Sequence, residues 1–169
     1  MREIIPVLIS SVISIYENIR LNLLPTPKRS HYTFNLRDIS KVFQGICSAS
    51  IKEGNNKMSM VRLWFHEIMR VFGDRLINGE DRAYLTKVLT DKLPSFRLTP
   101  EEVLTRDKLI FCDFWQGKDQ DPRHYMEVPD LNKFIEKIYE YQEEYNADPK
   151  FSGTRGNNAL KLVLFQDAC

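Results

Sequence analysis

Residues 23–45 read LLPTPKRSHYTFNLRDISKVFQG, a proline-rich connector that leads into an amphipathic helix. Asn35 is a favourable N-cap, because its side-chain oxygen can accept a hydrogen bond from the backbone of the first turn. Asp38 then occupies the third helical position, from which a carboxylate can reach back to the amide of the cap. Phe34 and Ile39 flank the cap as a hydrophobic staple. The sequence therefore predicts a helix over residues 36–48 with a well-specified start.

Arg37 lies in the first turn of this helix, where exposed amides already carry partial positive charge. A cation is unfavourable there unless an anion binds nearby, and phosphate is the anion most often found at helix N-termini. The alternative is that Arg37 pairs with a carboxylate on the solvated surface, as most charged residues at helix ends do. The local sequence by itself favours the surface ion pair.

A small basic cluster of Lys28, Arg29 and His31 precedes the Arg37 helix. These side chains could add to an anion site at the helix start. Solvated connectors often have the same composition, however, so the sequence leaves both interpretations open.

Two long motifs resemble a known family. The run LLPTPKRSHYTFNLRD, followed by ISKVFQG and later by RLWFHEIMRVFGDRL, resembles the small helical lid of an AAA+ module in dynein heavy chains of the axonemal type. Among the modules of the ring, the third is the best match. The resemblance covers nearly the whole chain and implies a mainly α fold, an AAA+ C-terminal helical lid bundle.

The resemblance also implies roles for individual residues. Arg37 of FNLRD matches the sensor-two arginine, which reaches from the lid to the phosphates of a nucleotide held by the large domain. Asn35, Lys28 and Arg29 are candidate supporting residues. No cofactor is expected in this chain alone, whereas the parent module would bind ATP or ADP with Mg²⁺.

The implied partners are the neighbouring AAA+ domains of the same heavy chain, and microtubules bound by the parent motor. The lid would relay nucleotide state around the ring during ATP-driven microtubule motility. The implied location is the cytoplasmic cytoskeleton, in the axoneme of the cilium.

The same resemblance divides the chain into two parts. Residues 1–117 would form the lid, with its first helix expected upstream of Met1. Residues 118–169 would form a connector and the truncated lead-in helices of the fourth module, because LVLFQDA at residues 162–168 resembles that lead-in. The apolar pattern stops at Cys169 without a cap or a polar tail, as expected of a truncation.

Motifs for catalysis are missing from the sequence. There is no G-x-x-x-x-G-K-[ST] loop (Walker A) and no acidic strand end (Walker B), so the isolated chain is not expected to be an enzyme. His66-Glu67 lacks the second histidine of a zinc site and fits a helical charge network better. Asp113, Asp119 and Asp121 do not fit a calcium loop. No metal site is predicted.

Composition limits the function classes further. The chain has 169 residues with 24 basic and 23 acidic side chains, a net charge of +1, so no overall field attracts nucleic acid or an anionic membrane. The apolar stretch from Ile4 to Ile15 is too short for a transmembrane helix. Three cysteines without C-x-x-C spacing indicate reduced thiols. Of these, Cys47 and Cys112 are expected in the core.

Periodicity and end signals predict six helices and a short β ribbon near residues 109–128. The first two predicted helices span about 5–21 and 36–48, the third runs from about residue 59 until Asn78-Gly79 ends it, and the fourth spans 80–93; a short one begins at residue 100, and a long one spans 131–145. In the second helix, the predicted core stripe comprises Leu36, Ile39, Val42, Phe43 and Ile46.

A second hypothesis belongs to another functional class. The chain could be a freestanding helical protein-interaction module with no nucleotide role. Its partner surface would then be the tyrosine-rich helix at residues 131–145 or the apolar run at the C-terminal end.

Overall fold

The computed structural model describes residues 3–49, 56–105, 109–117, 123–148 and 159–163. These residues form six α-helices, two 3-10 turns and two short strands. The helices are α1 (Ile4–Asn22), α2 (Leu36–Cys47), α3 (Lys57–Val71), α4 (Gly79–Thr90), α5 (Pro100–Val103) and α6 (Leu131–Ala147); the 3-10 turns are Gly73–Arg75 and Leu93–Phe96, and the strands are β1 (Phe111–Cys112) and β2 (Met126–Glu127). The prediction of a mainly α fold with a short ribbon is confirmed.

The main core lies around α3. Trp64 and Ile68 of α3 are fully buried, and the Trp64 ring packs on Phe96, with 5.1 Å between the ring centroids. α2 packs mainly on α3, and α1, α4 and the 3-10 turn at Leu93–Phe96 complete the bundle. The apolar residues of α1 that enter this core recur at three- and four-residue spacing, as a helix packed on one face requires: Leu8, Val12, Ile15 and Ile19.

α1 is longer than its apolar stretch suggested. The helix has 19 residues with a mean hydropathy of 1.5 over an 18-residue window, so by length and composition it could cross a membrane. The length argument against a transmembrane helix is therefore wrong, because the helix continues beyond Ile15 to Asn22. Buried core helices pass the same test, and one face of α1 is buried in the bundle.

The β ribbon carries a second, smaller hydrophobic cluster. β1 and β2 are antiparallel, with Phe111 opposite Glu127 and Cys112 opposite Met126. The strands are shorter than the sequence suggested, because the chain turns after Cys112 and Gly117, with φ of +119°, donates its amide to the Phe114 carbonyl. Residues of the ribbon and of α6 share this cluster: Cys112, Val128 and Phe134, with Ile110, Phe114, Trp115 and Ile138 at its edge.

Two expected core residues are exposed. Leu36 is 71% exposed, because Asp38, two residues further along the helix, faces inward, and residues two apart point to nearly opposite sides of a helix. Cys47 is also exposed, at the end of α2, whereas the buried residues of this helix are Asp38, Val42 and Ile46. Cys112 is buried, as predicted.

Helices α2 and α3 pack tightly where Gly45 faces Glu67. The Glu67 side chain has no exposed surface, and a Cβ atom added at Gly45 would lie 1.9 Å from Glu67 Oε2. Only a glycine leaves room for the carboxylate between the two helices. The position of this glycine in α2 therefore sets the spacing of the helix pair.

The buried carboxylate of Glu67 is compensated from two directions. Arg70 donates from Nε and one terminal nitrogen to Oε2, at 3.0 and 2.6 Å. The Tyr125 hydroxyl, just before β2, donates to Oε1 at 2.7 Å. A buried charge is costly unless it is paired and hydrogen-bonded, and these contacts satisfy both oxygens. The predicted charge network on α3 is confirmed, and it extends to the ribbon.

His66, next to Glu67, adds a second link to the ribbon side. Its Nδ1 lies 2.7 Å from the Leu109 carbonyl oxygen, so this nitrogen carries the proton in the neutral ring. Burial lowers the pKa of His66, and the bond to the Leu109 carbonyl opposes that shift. The folded chain therefore favours the neutral imidazole.

We predict that Gly45→Ala destabilises the chain by about 1–3 kcal/mol, the usual range for an overpacked core. Glu67 cannot move aside without breaking its bonds to Arg70 and Tyr125. Urea unfolding measures the change. Gly79→Ala is the matched control, since nothing lies within 4 Å of a Cβ at Gly79. Equal stability of the two variants would contradict the close approach.

We also predict a pH effect from His66. Unfolded histidine takes up a proton below a pKa of about 6.5, whereas the folded ring resists protonation, so its contribution to stability is present above that pH and is lost as the pH falls. Between about pH 8 and about pH 5, the wild-type chain should lose more free energy of unfolding than His66→Gln. Superimposable pH profiles of the two proteins would rule this out.

Candidate functional site

The candidate site is the N-terminal end of α2 with the connector before it. Tyr32 and Phe34 anchor the connector, because both rings are buried and lie 5.9 Å apart between centroids. The Phe34 ring also packs edge-on against Phe72 at the end of α3, at 5.8 Å. The connector is therefore attached to the core immediately before α2 begins.

The capping box predicted for α2 is present. Asn35 is extended, with φ of −139° and ψ of 175°, and its Oδ1 accepts a hydrogen bond from the Arg37 amide at 2.8 Å. Asp38 Oδ2 accepts one from the Asn35 amide at 2.9 Å, and the Asp38 amide donates to the Asn35 carbonyl. The cap thus occupies the amides of residues 35, 37 and 38. An anion near this tip would depend mainly on a side chain for its contact.

Arg75, at the end of the first 3-10 turn, fastens the connector to α2. One terminal nitrogen lies 3.1 Å from Asp38 Oδ2. The other donates to the carbonyls of His31 at 2.9 Å and Thr33 at 3.1 Å. The guanidinium also lies over the Phe34 ring, 4.8 Å from its centroid. A single planar side chain therefore holds three backbone or carboxylate groups in one arrangement.

Arg37 is exposed in the first turn of α2. Its backbone amide is bound to Asn35, but its guanidinium has no hydrogen bond or ion pair with the described residues. The surface carboxylate partner that local sequence favoured is therefore absent from the described part of the chain. The exposed guanidinium can donate to an external anion.

The three basic residues before α2, Lys28, Arg29 and His31, have different surroundings. Arg29 donates to Asp81 Oδ2 at 2.6 Å and lies over the Tyr32 ring, 5.4 Å from its centroid. The Tyr32 hydroxyl donates to the same Asp81 oxygen at 2.9 Å. His31 Nε2 lies 3.0 Å from the Arg75 carbonyl oxygen. Of the three basic residues, only the exposed Lys28 has no such contact within the described residues.

Arg75 and Asp81 are site residues that the sequence pattern does not indicate. Both lie more than 35 positions beyond the connector residues that they bind, at 42 and 52 residues for the Arg75–Thr33 and Arg29–Asp81 bonds. Charged side chains near the end of one helix and the start of another are ordinary surface residues in a sequence pattern. No local signal indicates that Arg75 will reach the carbonyls of the connector or that Asp81 will bind the side chains of Arg29 and Tyr32.

The described residues offer no alternative chemistry at this tip. They contain no group of three or more His, Cys, Asp or Glu side chains placed to hold a metal ion. Asp38 is committed to the cap and to Arg75. The arrangement can therefore bind an anion through one exposed guanidinium, held at the start of a well-capped helix.

Comparison with known proteins identifies the class. Residues 8–97 match the family described as AAA+ lid domain, which is more than half of the chain. The chain belongs to the AAA+ lid domain family. The match covers α1 from residue 8 onward, α2 to α4 and both 3-10 turns, including Arg37 and Arg75.

The chain is similar to axonemal dynein heavy chains over nearly all of its length. It is 43% identical over 162 residues to dynein axonemal heavy chain 1 of Rattus norvegicus, covering 95% of this chain and 3% of that protein. It is 38% identical over 165 residues to dynein axonemal heavy chain 6 of Homo sapiens, with coverages of 95% and 4%. For dynein axonemal heavy chain 12 of Mus musculus, the identity is 35%, with coverages of 94% and 5%. The chain thus spans only a few per cent of the relatives it matches.

We predict that Asp38→Asn lowers the free energy of unfolding by about 1–3 kcal/mol, because a buried hydrogen-bonded charge is removed from both the cap and Arg75. Chemical unfolding of the purified chain measures this. Asp91→Asn, at the exposed C-cap of α4, should cause no loss, since a carboxylate at a helix C-terminus is not stabilising. A loss at Asp91 as large as that at Asp38 would contradict the role assigned to Asp38.

Proposed function

We propose that this chain is a segment of an axonemal dynein heavy chain, in which it forms the lid of one AAA+ module. The match of residues 8–97 to the AAA+ lid family and the similarity to axonemal heavy chains support this proposal. The two long motifs around Arg37 and Arg75 favour the third module. Residues 1–117 would then be the lid, and residues 118–169 the connector and lead-in of the fourth module. Residues 164–169, at the end of that lead-in, lie outside the described residues.

Arg37 would contact the phosphates of a nucleotide held by the adjacent large domain. The observation that carries this proposal is the exposed Arg37 guanidinium, which lacks a partner within the described residues, at the rigid start of α2. A guanidinium matches the geometry of phosphate oxygens and can donate two parallel hydrogen bonds. Asn35 would support this contact by fixing the first turn, and Lys28 would supply a further exposed cation from the connector. Arg29 supports it only indirectly, because its charge is paired with Asp81.

ATP or ADP with Mg²⁺ would be bound mainly by the large domain. The sequence has no phosphate-binding loop, and the described residues have no cluster of metal-ligating side chains. The lid residues would therefore sense the nucleotide without performing hydrolysis. Catalysis belongs to the parent motor, and the chain alone would not be an enzyme.

The lid would relay nucleotide state through α2. Arg37 lies at one end of this helix and Gly45 near the other, where it packs directly on Glu67 of α3. Glu67 in turn accepts a hydrogen bond from Tyr125, next to the ribbon that precedes α6. A contact that pulls on the start of α2 in one nucleotide state would thus act on a rigid body joined to the next segment.

A second link joins the lid to that segment. Arg62 of α3 forms an ion pair with Glu127 of β2 at 2.8 Å and donates to the Thr105 hydroxyl at 2.9 Å. Movement of α3 would therefore carry the ribbon with it. Through the neighbouring AAA+ domains, this relay would serve microtubule motility in the axoneme of the cilium.

We predict that Arg37→Ala, in the heavy chain that carries this segment, weakens ATP binding by about 10- to 100-fold, since a charge-assisted hydrogen bond is worth about 1.5–3 kcal/mol. Equilibrium binding of ATP and ADP to the motor measures the loss, and microtubule release reports its consequence. The affinity of interest is that of the nucleotide site of this module. Nucleotide binding to the other modules must therefore be blocked or measured separately.

Lys41→Ala is the matched control for this experiment. Lys41 is an exposed cation one turn further along the same helix, and it should leave nucleotide affinity unchanged. The free energy of unfolding of the 169-residue chain should change by less than about 0.5 kcal/mol in both variants, as for ordinary surface substitutions. Equal nucleotide affinities of Arg37→Ala and Lys41→Ala would disprove the sensing role.

A further inference from the structure

We infer that Arg75 is a positioning residue for Arg37: it sets the direction in which the Arg37 side chain leaves the lid. This inference rests on the proposed function, since it concerns the same nucleotide contact. Arg75 itself does not reach the exposed tip, because its nitrogens bind Asp38 and the carbonyls of His31 and Thr33. It would act on the nucleotide only through the backbone that carries Arg37.

The residues that Arg75 binds lie on both sides of Arg37 in the sequence. His31 and Thr33 lie before the N-cap of α2, and Asp38 lies after Arg37. Arg75 therefore binds the chain on both sides of Arg37, within the eight residues from His31 to Asp38. With the backbone held on both sides, the direction in which the exposed Arg37 side chain leaves the backbone is fixed relative to the lid.

Arg75 is itself held in place by the end of α3 and by the aromatic residues next to it. Arg75 is the last residue of the 3-10 turn that follows α3. Its carbonyl oxygen accepts a hydrogen bond from His31 Nε2 at 3.0 Å. Its guanidinium lies over the buried Phe34 ring, which packs on Phe72. The orientation of α2's first turn is thus set by the end of α3, the helix at the centre of the core, and not by the capping box alone.

Two arginines, Arg29 and Arg75, bind connector residues, but they bind them to different elements. Arg29 binds Asp81 and the Tyr32 ring, and therefore fixes the connector to α4 before the cap region. It makes no contact with α2. Arg75 is the described side chain that bridges the connector and the first turn of α2, so it is placed to transmit small shifts of α3 to Arg37.

The test is a double-mutant cycle in the heavy chain that carries this segment. ATP affinity is measured for wild type, Arg75→Ala, Arg37→Ala and the double variant. Arg82→Ala is the matched control, because the Arg82 side chain also binds a backbone carbonyl, that of Leu76 at 3.1 Å, but has no hydrogen bond or ion pair with the described residues of α2 or the connector. If Arg75→Ala does not fold, Arg75→Lys replaces it, since lysine keeps the charge but cannot reproduce the planar fork.

We expect Arg75→Ala to weaken ATP binding on the order of tenfold, because a small displacement is enough to lose much of a directed contact. Arg82→Ala should not weaken it. In the Arg37→Ala background, Arg75→Ala should cause no further loss, because the side chain it directs is absent. A merely structural residue would weaken binding equally in both backgrounds.

The outcomes separate the two proposals. If Arg37→Ala weakens ATP binding but Arg75→Ala behaves like Arg82→Ala, the positioning role is wrong and the nucleotide contact of Arg37 stands. An equal loss in both backgrounds also overturns the positioning role, because Arg75 would then act on the fold. If Arg37→Ala has no effect, the proposed function fails, and the positioning role fails with it.

Discussion

One buried carboxylate constrains how the helices of this lid meet. Glu67 has no exposed surface, so its charge must be compensated within the protein. Arg70 and Tyr125 supply that compensation, and Gly45 leaves the space that the carboxylate occupies. Because each partner comes from a different position in the sequence, the requirements of one side chain bring α2, α3 and the ribbon together.

Helix α2 is held at both ends by charged groups from the α3 region. Near its C-terminal end, Gly45 lies against Glu67; at its N-terminal end, Asp38 is paired with Arg75. The apolar residues between these ends, Val42 among them, fill the core without specifying a unique orientation. The contacts of Asp38 with Arg75 and of Gly45 with Glu67 fix how α2 is oriented on α3. They hold both ends of α2 against the α3 region, with the exposed Arg37 in the first turn.

Some of the site was predictable from sequence, and the reasons are local. Asn35 and Asp38 have a three-residue spacing that matches a capping box, and the box forms because it needs only neighbouring backbone. The starts of the helices with strong periodicity were also predictable to within about two residues, but α3 ends at Val71 and not at Asn78-Gly79, because the chain continues as the 3-10 turn Gly73–Arg75. Leu36 and Cys47 were assigned to the core wrongly, because a stripe drawn from periodicity gives the apolar face of a helix but not where that face stops contacting its neighbour.

The partners of the charged side chains were not predictable. Arg29 and Arg75 look alike in a sequence, yet one is bound to Asp81 and the other spans the connector and α2. The ribbon was placed correctly between residues 109 and 128, but its link to α3 through Tyr125 and Glu67 joins residues 58 positions apart. Such pairings depend on which surfaces the packed helices bring within about 3 Å of each other.

The sequence by itself determined the helices, the cap of α2 and the presence of an arginine in its first turn, because these follow from spacing, side-chain type and backbone preference over a few residues. Only the tertiary structure decided that this arginine stays exposed while Arg29 and Arg75 are taken up by internal contacts. The physical reason is that a guanidinium reaches several ångströms from its own backbone, so its partner is chosen by the packing of distant elements and not by its neighbours in the chain.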